Sequence, residues 1–113
     1  MAINDADSLS YAFSALSDPT RRALLARLAV KEATVSELMK PFKLSQPTIS
    51  KHLKVLERAG FIEQGRDAQR RPRKLALGAL KDTADWFEPF RKQWERRFDN
   101  LEAHLAKTKK KEK

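Results

Sequence analysis

Apolar residues recur along this chain at helical spacing, broken once by a short stretch of strand-like spacing. Leu9, Ala12, Phe13 and Leu16 fall three and four apart and predict a first helix behind a polar, loose N-terminus over residues 1–7. Ser17-Asp18-Pro19 closes that helix and opens the next. Asp18 suits the N-cap, and the fixed φ of Pro19 suits the first helical position. Leu24, Leu25 and Leu28 are the core side of this second helix, while Arg21, Arg22 and Arg27 face outward as solvated surface. After a short connection over 30–33, Thr34-Val35-Ser36-Glu37 has the form of a reciprocal cap: the Thr hydroxyl accepts from the Glu N–H, and the Glu carboxylate reaches back to the Thr N–H. Val35, Leu38, Met39 and Phe42 share one face of the helix it starts, and Pro41 with the Phe42-Lys43-Leu44 link stops it. Ser45 caps a fourth helix with Pro47 in its first turn; Ile49, Leu53 and Leu56 form its buried stripe, and Gly60 ends it in the left-handed conformation.

Beyond Gly60 the period changes. Phe61 to Gln64 and Arg73 to Leu77 are β-capable runs around a polar tip, which predicts a hairpin over 61–77 with Pro72 at its edge or tip. From Leu80 the chain is helical again through 106. Leu80, Phe87, Trp94 and Leu101 stand seven apart, and Ala84, Phe98 and Leu105 form a second seven-residue series. Pro89 removes the hydrogen bond to the Asp85 carbonyl and disfavours helix at Glu88, so a kink or break is expected there. The KTKKKEK stretch over 107–113 is expected to be a solvated, disordered basic tail. The fold class is mostly α with a small β-hairpin, in one domain over residues 8–106.

Charge adds a partner to this picture. The net charge is +9 and the isoelectric point about 10.1, a balance that favours polyanions, nucleic acid first and anionic membrane second. The fourth helix is divided accordingly. Its outward face carries Gln46, Thr48, Ser50, Lys51, Lys54 and Arg58, with short hydrogen-bonding groups in the first turns and cations further along, and no acid before Glu57. Such a face suits a helix laid in the major groove over residues 34–60, its start at the base edges and its cations on phosphate. Two amphipathic helices of an ordinary small helical domain would show the same periodicity. Between Arg66 and Lys74 the only acid is Asp67, against Arg66, Arg70, Arg71, Arg73 and Lys74. A hairpin so charged reads as a wing on flanking DNA, or more blandly as a solubilising loop.

Other chemistry is excluded. There are no cysteines, which removes disulfides, thiolate metal sites and cysteine nucleophiles. No glycine-rich phosphate loop, nucleophile elbow or HExxH motif is present, and no pair of groups is set for acid–base work, so an enzyme is not expected. His52 reads as a half-buried packing residue of the fourth helix and His104 as a surface residue. No apolar run approaches the roughly 20 residues of a membrane span, and the acidic MAINDADS start lacks a signal peptide's features, so a cytoplasmic location is the default.

SQPTISKHLKVLERAGFIE resembles the recognition helix and following strand of ArsR-type winged helix-turn-helix repressors, and LSDPTRRALLARL resembles their second helix. The resemblance runs from about Leu9 to Leu105. It implies a homodimer that binds a palindromic DNA operator and represses transcription by occluding polymerase. Base contacts are expected from Gln46, Thr48, Ser50 and Lys51, the resemblance favouring Gln46, Ser50 and Lys51. Phosphate contacts are expected from Ser45, Lys54, Arg66, Arg70, Arg71 and Arg73. One small domain can hardly cover the seven-residue stripes alone, so they read as a self-association seam or, equally well residue by residue, as intramolecular core packing. With the resemblance they place a dimer interface at Leu9, Phe13, Phe87, Phe90, Trp94, Phe98, Leu101 and Leu105. Metal-sensing relatives carry cysteines in the third helix, or His and acid ligands in the last; here the third helix reads ELMKPF and the last has only one histidine, so no metal and no cofactor is expected, and no effector is written in the residues. The alternative function is a basic helical adaptor for protein or RNA, docking through its aromatic last helix.

Overall fold

Three aliphatic side chains on one helix, Ile49, Leu53 and Leu56, are fully buried and set the centre of the core. The computed structural model of the chain describes residues 5–66 and 69–111. Its elements are α1 (Asp5–Leu16), α2 (Pro19–Val30), α3 (Val35–Phe42), α4 (Gln46–Arg58), β1 (Ile62–Gln64), β2 (Arg73–Leu75), α5 (Leu77–Trp86) and α6 (Glu88–Lys111). The chain divides into two units, Met1–Thr83 and Ala84–Lys113. In the first, the α4 stripe packs on Leu24 and Leu28 of α2, Leu38 of α3, and Ala12 and Ala15 of α1, with Phe61 and Ile62 closing the core at the hairpin. The strands are antiparallel, with Ile62 opposite Leu75 and Gln64 opposite Arg73.

The helix ends follow their local sequence. Asp18 accepts from the Arg21 N–H at 3.0 Å. At α3 the reciprocal cap is complete: Glu37 N–H donates to Thr34 Oγ1 at 3.2 Å, and Thr34 N–H to Glu37 Oε1 at 3.0 Å. These backbone donors hold the Asp18 and Glu37 carboxyls below their ordinary pKa values. Each carboxylate therefore supports the fold above its unfolded pKa, and the support fades as pH falls through the lower folded value. Thr34→Ala should cost about 1 kcal/mol, read as a lower urea midpoint at unchanged slope. The end of α4 is a Schellman arrangement: Gly60, at φ 81, donates to the Glu57 carbonyl and Phe61 to that of Leu56. Lys43 takes the same left-handed role after α3, at φ 55.

Several elements depart from expectation. Helix α1 already begins at Asp5, within the stretch expected to be loose; residues 1–4 lie outside the described ones. Arg21 and Arg22 are not plain solvated surface. Arg21 donates to the Ala15 and Ser14 carbonyls at 2.8 and 2.9 Å, and Arg22 to that of Leu16 at 2.6 Å. Two guanidiniums thus join the capping of the carbonyl end of α1, where the helix dipole favours positive charge. Ala33, expected in a plain connection, exchanges both backbone hydrogen bonds with Arg73, at 3.0 and 2.7 Å, and so adds a bridge to the hairpin edge.

Of the kink or break expected near Pro89, the structure shows a break, giving two helices. Helix α5 starts at Leu77 rather than Leu80, and Leu80 packs against the core. The chain breaks at Phe87, and Pro89 falls in the first turn of α6, where its missing N–H has no intrahelical partner to lose. Helix α6 is held locally by Arg91, which pairs with Glu88 at 2.6 Å and with Glu95, three and four residues away. The helix continues to Lys111, across most of the stretch expected to be a disordered tail; residues 112–113 lie outside the described ones.

Candidate nucleic-acid interface

The outer face of α4 starts at its N-cap. Ser45 Oγ accepts from the Thr48 N–H at 3.4 Å and donates to Thr48 Oγ1 at 2.9 Å, so these two hydroxyls are tied to one another at the helix start. Gln46, at the first helical position, is exposed. One turn on, Ser50 is half-buried and Lys51 is exposed. Pro47, Ser50, Lys51, Lys54 and Glu57 line an open groove of about 280 Å³ whose far side is Gln64 of β1 and Arg73 of β2. The structure thus brings Ser50, Lys51 and Lys54 together in one groove, with Gln46 a turn before Ser50 on the same helix. His52 is half-buried and His104 exposed.

The hairpin carries its cations outward. Arg66, Arg70 and Arg71 are exposed. The loop between the strands is pinched where the Gly65 N–H donates to the Pro72 carbonyl at 2.6 Å. A Cβ on Gly65 would meet Pro72 Cγ at 2.9 Å, so this approach needs glycine. Arg71 is left-handed at φ 47. Asp67 lies outside the described residues.

Arg73, expected on phosphate, makes bonds within the protein. Its side chain is only 14% exposed, and its Nε donates to Glu57 Oε1 at 2.9 Å. Its Nη1 donates to the Arg71 carbonyl at 2.5 Å. The guanidinium bridges α4 and the hairpin loop while lining the groove beside Lys51 and Lys54. Sequence reasoning missed Glu57 as its partner.

In the second unit, α6 has no buried side chain among its described residues. Phe90, Trp94, Phe98, Leu101 and Leu105 are exposed, as is Phe87 in the turn before it. Trp86, which the seven-residue series passed over, joins this aromatic group, its ring centroid 5.2 Å from Phe87 and 5.1 Å from Phe90. In the first unit Phe13 is exposed and Leu9 half-buried. Among the described residues no group of three or more His, Asp or Glu is placed to hold a metal, and no helix is long and apolar enough to cross a membrane.

A helix-turn-helix whose second helix turns a polar, basic face outward, followed by a cationic β-hairpin, defines a winged helix-turn-helix protein. The chain belongs to the arsR family of bacterial regulatory proteins, whose family model matches residues 18–64. It is similar to the transcriptional repressor SdpR of Bacillus subtilis (strain 168), with 34% identity over 82 residues that cover 73% of this chain and 91% of that protein. Among solved structures it is similar to the crystal structure of an ArsR family transcriptional regulator, with 37% identity, a TM-score of 0.71 and coverage of 84% of this chain and 97% of that one. It shares its fold with the homodimeric winged helix-turn-helix DNA-binding domain of a possible ArsR-family regulator from Mycobacterium bovis, at 23% identity, a TM-score of 0.61, and 88% and 95% coverage. The chain is a DNA-binding transcriptional regulator of this family.

Proposed function

We propose that this protein is a cytoplasmic repressor that binds an imperfectly palindromic DNA operator as a homodimer. The observation that carries the reading is the outer face of α4, where Gln46, Lys51 and Lys54 are exposed, Thr48 and Ser50 half-buried, and Glu57 is the first acid. In a dimer, two such helices enter successive major grooves about 34 Å apart. Gln46 offers a bidentate pair to adenine N6 and N7, and Lys51 reaches guanine O6 and N7. Ser50 and Thr48 stand beside them; Ser45, Lys54, Arg66, Arg70 and Arg71 hold phosphate, which fixes register without reading sequence. Self-association rests on the uncovered aromatic face of α6, and the Mycobacterium bovis neighbour is itself homodimeric. Repression would follow from occluding polymerase at a promoter; the Bacillus subtilis relative is named a transcriptional repressor, which supports repression itself.

The test is enrichment of duplexes from a randomised pool, followed by salt titrations on the enriched and on scrambled DNA. Gln46→Ala should cost about 1–3 kcal/mol on the enriched duplex and relax preference at one base position. Arg71→Ala should weaken binding to every sequence alike and reduce the salt slope by about 1. If the two variants lose affinity equally on both duplexes, this sorting of roles is wrong. If the wild-type protein enriches no sequence, the operator reading fails and the adaptor reading takes its place.

A further inference from the structure

Glu57 sits where an acid is costly twice over. It lies in the last turn of α4, where the helix dipole disfavours negative charge, and it lines the groove whose other residues include Lys51 and Lys54. A carboxylate there opposes the approach of phosphate. What it gains is Arg73. The Glu57 carboxylate accepts from Arg73 Nε at 2.9 Å, with Gln64 Nε2 3.5 Å from the same oxygen. Arg73 is fixed from its other side as well: its backbone is paired both ways with Ala33, and its Nη1 donates to the carbonyl of left-handed Arg71. A continuous chain of bonds thus runs from the recognition helix through one guanidinium to Arg71 in the hairpin loop. The planar fork of arginine makes these bonds from two nitrogens in a fixed geometry, which lysine's single nitrogen lacks.

We infer that Glu57 and Arg73 are positioning residues for specificity: their pair sets the angle between α4 and the wing, so that the wing cations meet phosphate only when α4 is seated in its preferred sequence. The inference rests on the operator reading above. It makes a prediction opposite in sign to a purely electrostatic role. Removing the Glu57 charge should help any DNA bind; removing the link should selectively harm the preferred DNA.

The experiment uses the full chain, the duplex that the wild-type protein enriches from a randomised pool, and a scrambled duplex of equal length. Glu57→Ala should leave scrambled-duplex affinity equal or higher and lower the enriched-to-scrambled ratio by about tenfold, the size of coupling within one bonded network. Glu57→Gln keeps an oxygen for Arg73 Nε and should restore most of the ratio. Arg73→Lys keeps the charge, and should lower the ratio with the salt slope unchanged. It also decides the matter if Glu57→Ala fails to fold. Affinity that rises equally on both duplexes in Glu57→Ala, or a ratio unchanged in Arg73→Lys, overturns the inference and leaves the operator reading standing. A wild-type protein that enriches nothing overturns both.

Discussion

Phe61→Ala should lower the free energy of unfolding by about 3–5 kcal/mol, against a total of about 5–15 for a domain of ordinary stability. Phe61 is the largest fully buried side chain in the structure, and its surroundings cannot collapse onto the space it would leave. Its N–H is bound to the Leu56 carbonyl at 3.0 Å, and its own carbonyl accepts from the Ala76 N–H at 2.9 Å. The backbone is therefore pinned to the end of α4 on one side and to Ala76, just after β2, on the other. Gly60, just before it, is equally fixed: its φ of 81 disfavours a side chain, and a Cβ there would meet the Ala79 Cβ at 3.1 Å. With neither neighbour free to move, the lost ring leaves a void, and the cost is transfer plus cavity. Urea unfolding followed by circular dichroism measures it. A loss below about 1 kcal/mol would show that the site relaxes freely, against the pinning described here.

Much of this fold was legible because its signals are local. The caps at Asp18, Thr34 and Ser45 each bind a donor three residues on, and the stripe at Ile49, Leu53 and Leu56 needs only a period of 3.6. What the sequence hid depends on how elements meet. Arg21 and Arg22 read as surface until the corner between α1 and α2 turns their guanidiniums onto the carbonyls of the helix before. Arg73 looked like one more wing cation, yet strand parity held a usable signal. Arg73 and Leu75 are two apart in β2 and share a face; Leu75 packs on the core, so Arg73 is directed toward α4. Lys74, between them, points away and pairs at 3.5 Å with exposed Glu63. The seven-residue series misled in part. Counting sevens assumes one continuous helix, whereas the break at Phe87 assigns Leu80 to the core of the first unit and leaves the run from Phe90 to Leu105 on α6.

Trp94→Glu combined with Phe98→Glu should turn a dimer into a monomer and weaken binding to a two-half-site operator by about 10²- to 10⁴-fold, the usual worth of linking two binding modules. Helix α6 is 24 residues long, and none of its described side chains is buried. Phe90, Trp94, Phe98, Leu101 and Leu105 recur at spacings that keep them on one side of it. These five side chains are each 45–62% exposed, and a contiguous apolar face of this kind marks an interaction site. A second copy of the same face is the simplest cover, because a two-fold axis brings every residue of the patch against the patch itself. Two carboxylates at its centre would then have to be desolvated opposite their own copies, at a cost no rearrangement of the rim recovers. Arg96→Glu introduces the same charge about 200° around the helix from Trp94 and should leave the dimer intact. Sedimentation velocity separates the outcomes. A wild-type protein that is monomeric at the concentrations at which it binds DNA, or a double variant that still sediments as a dimer, would remove α6 as the seam and with it the reason for expecting a palindrome.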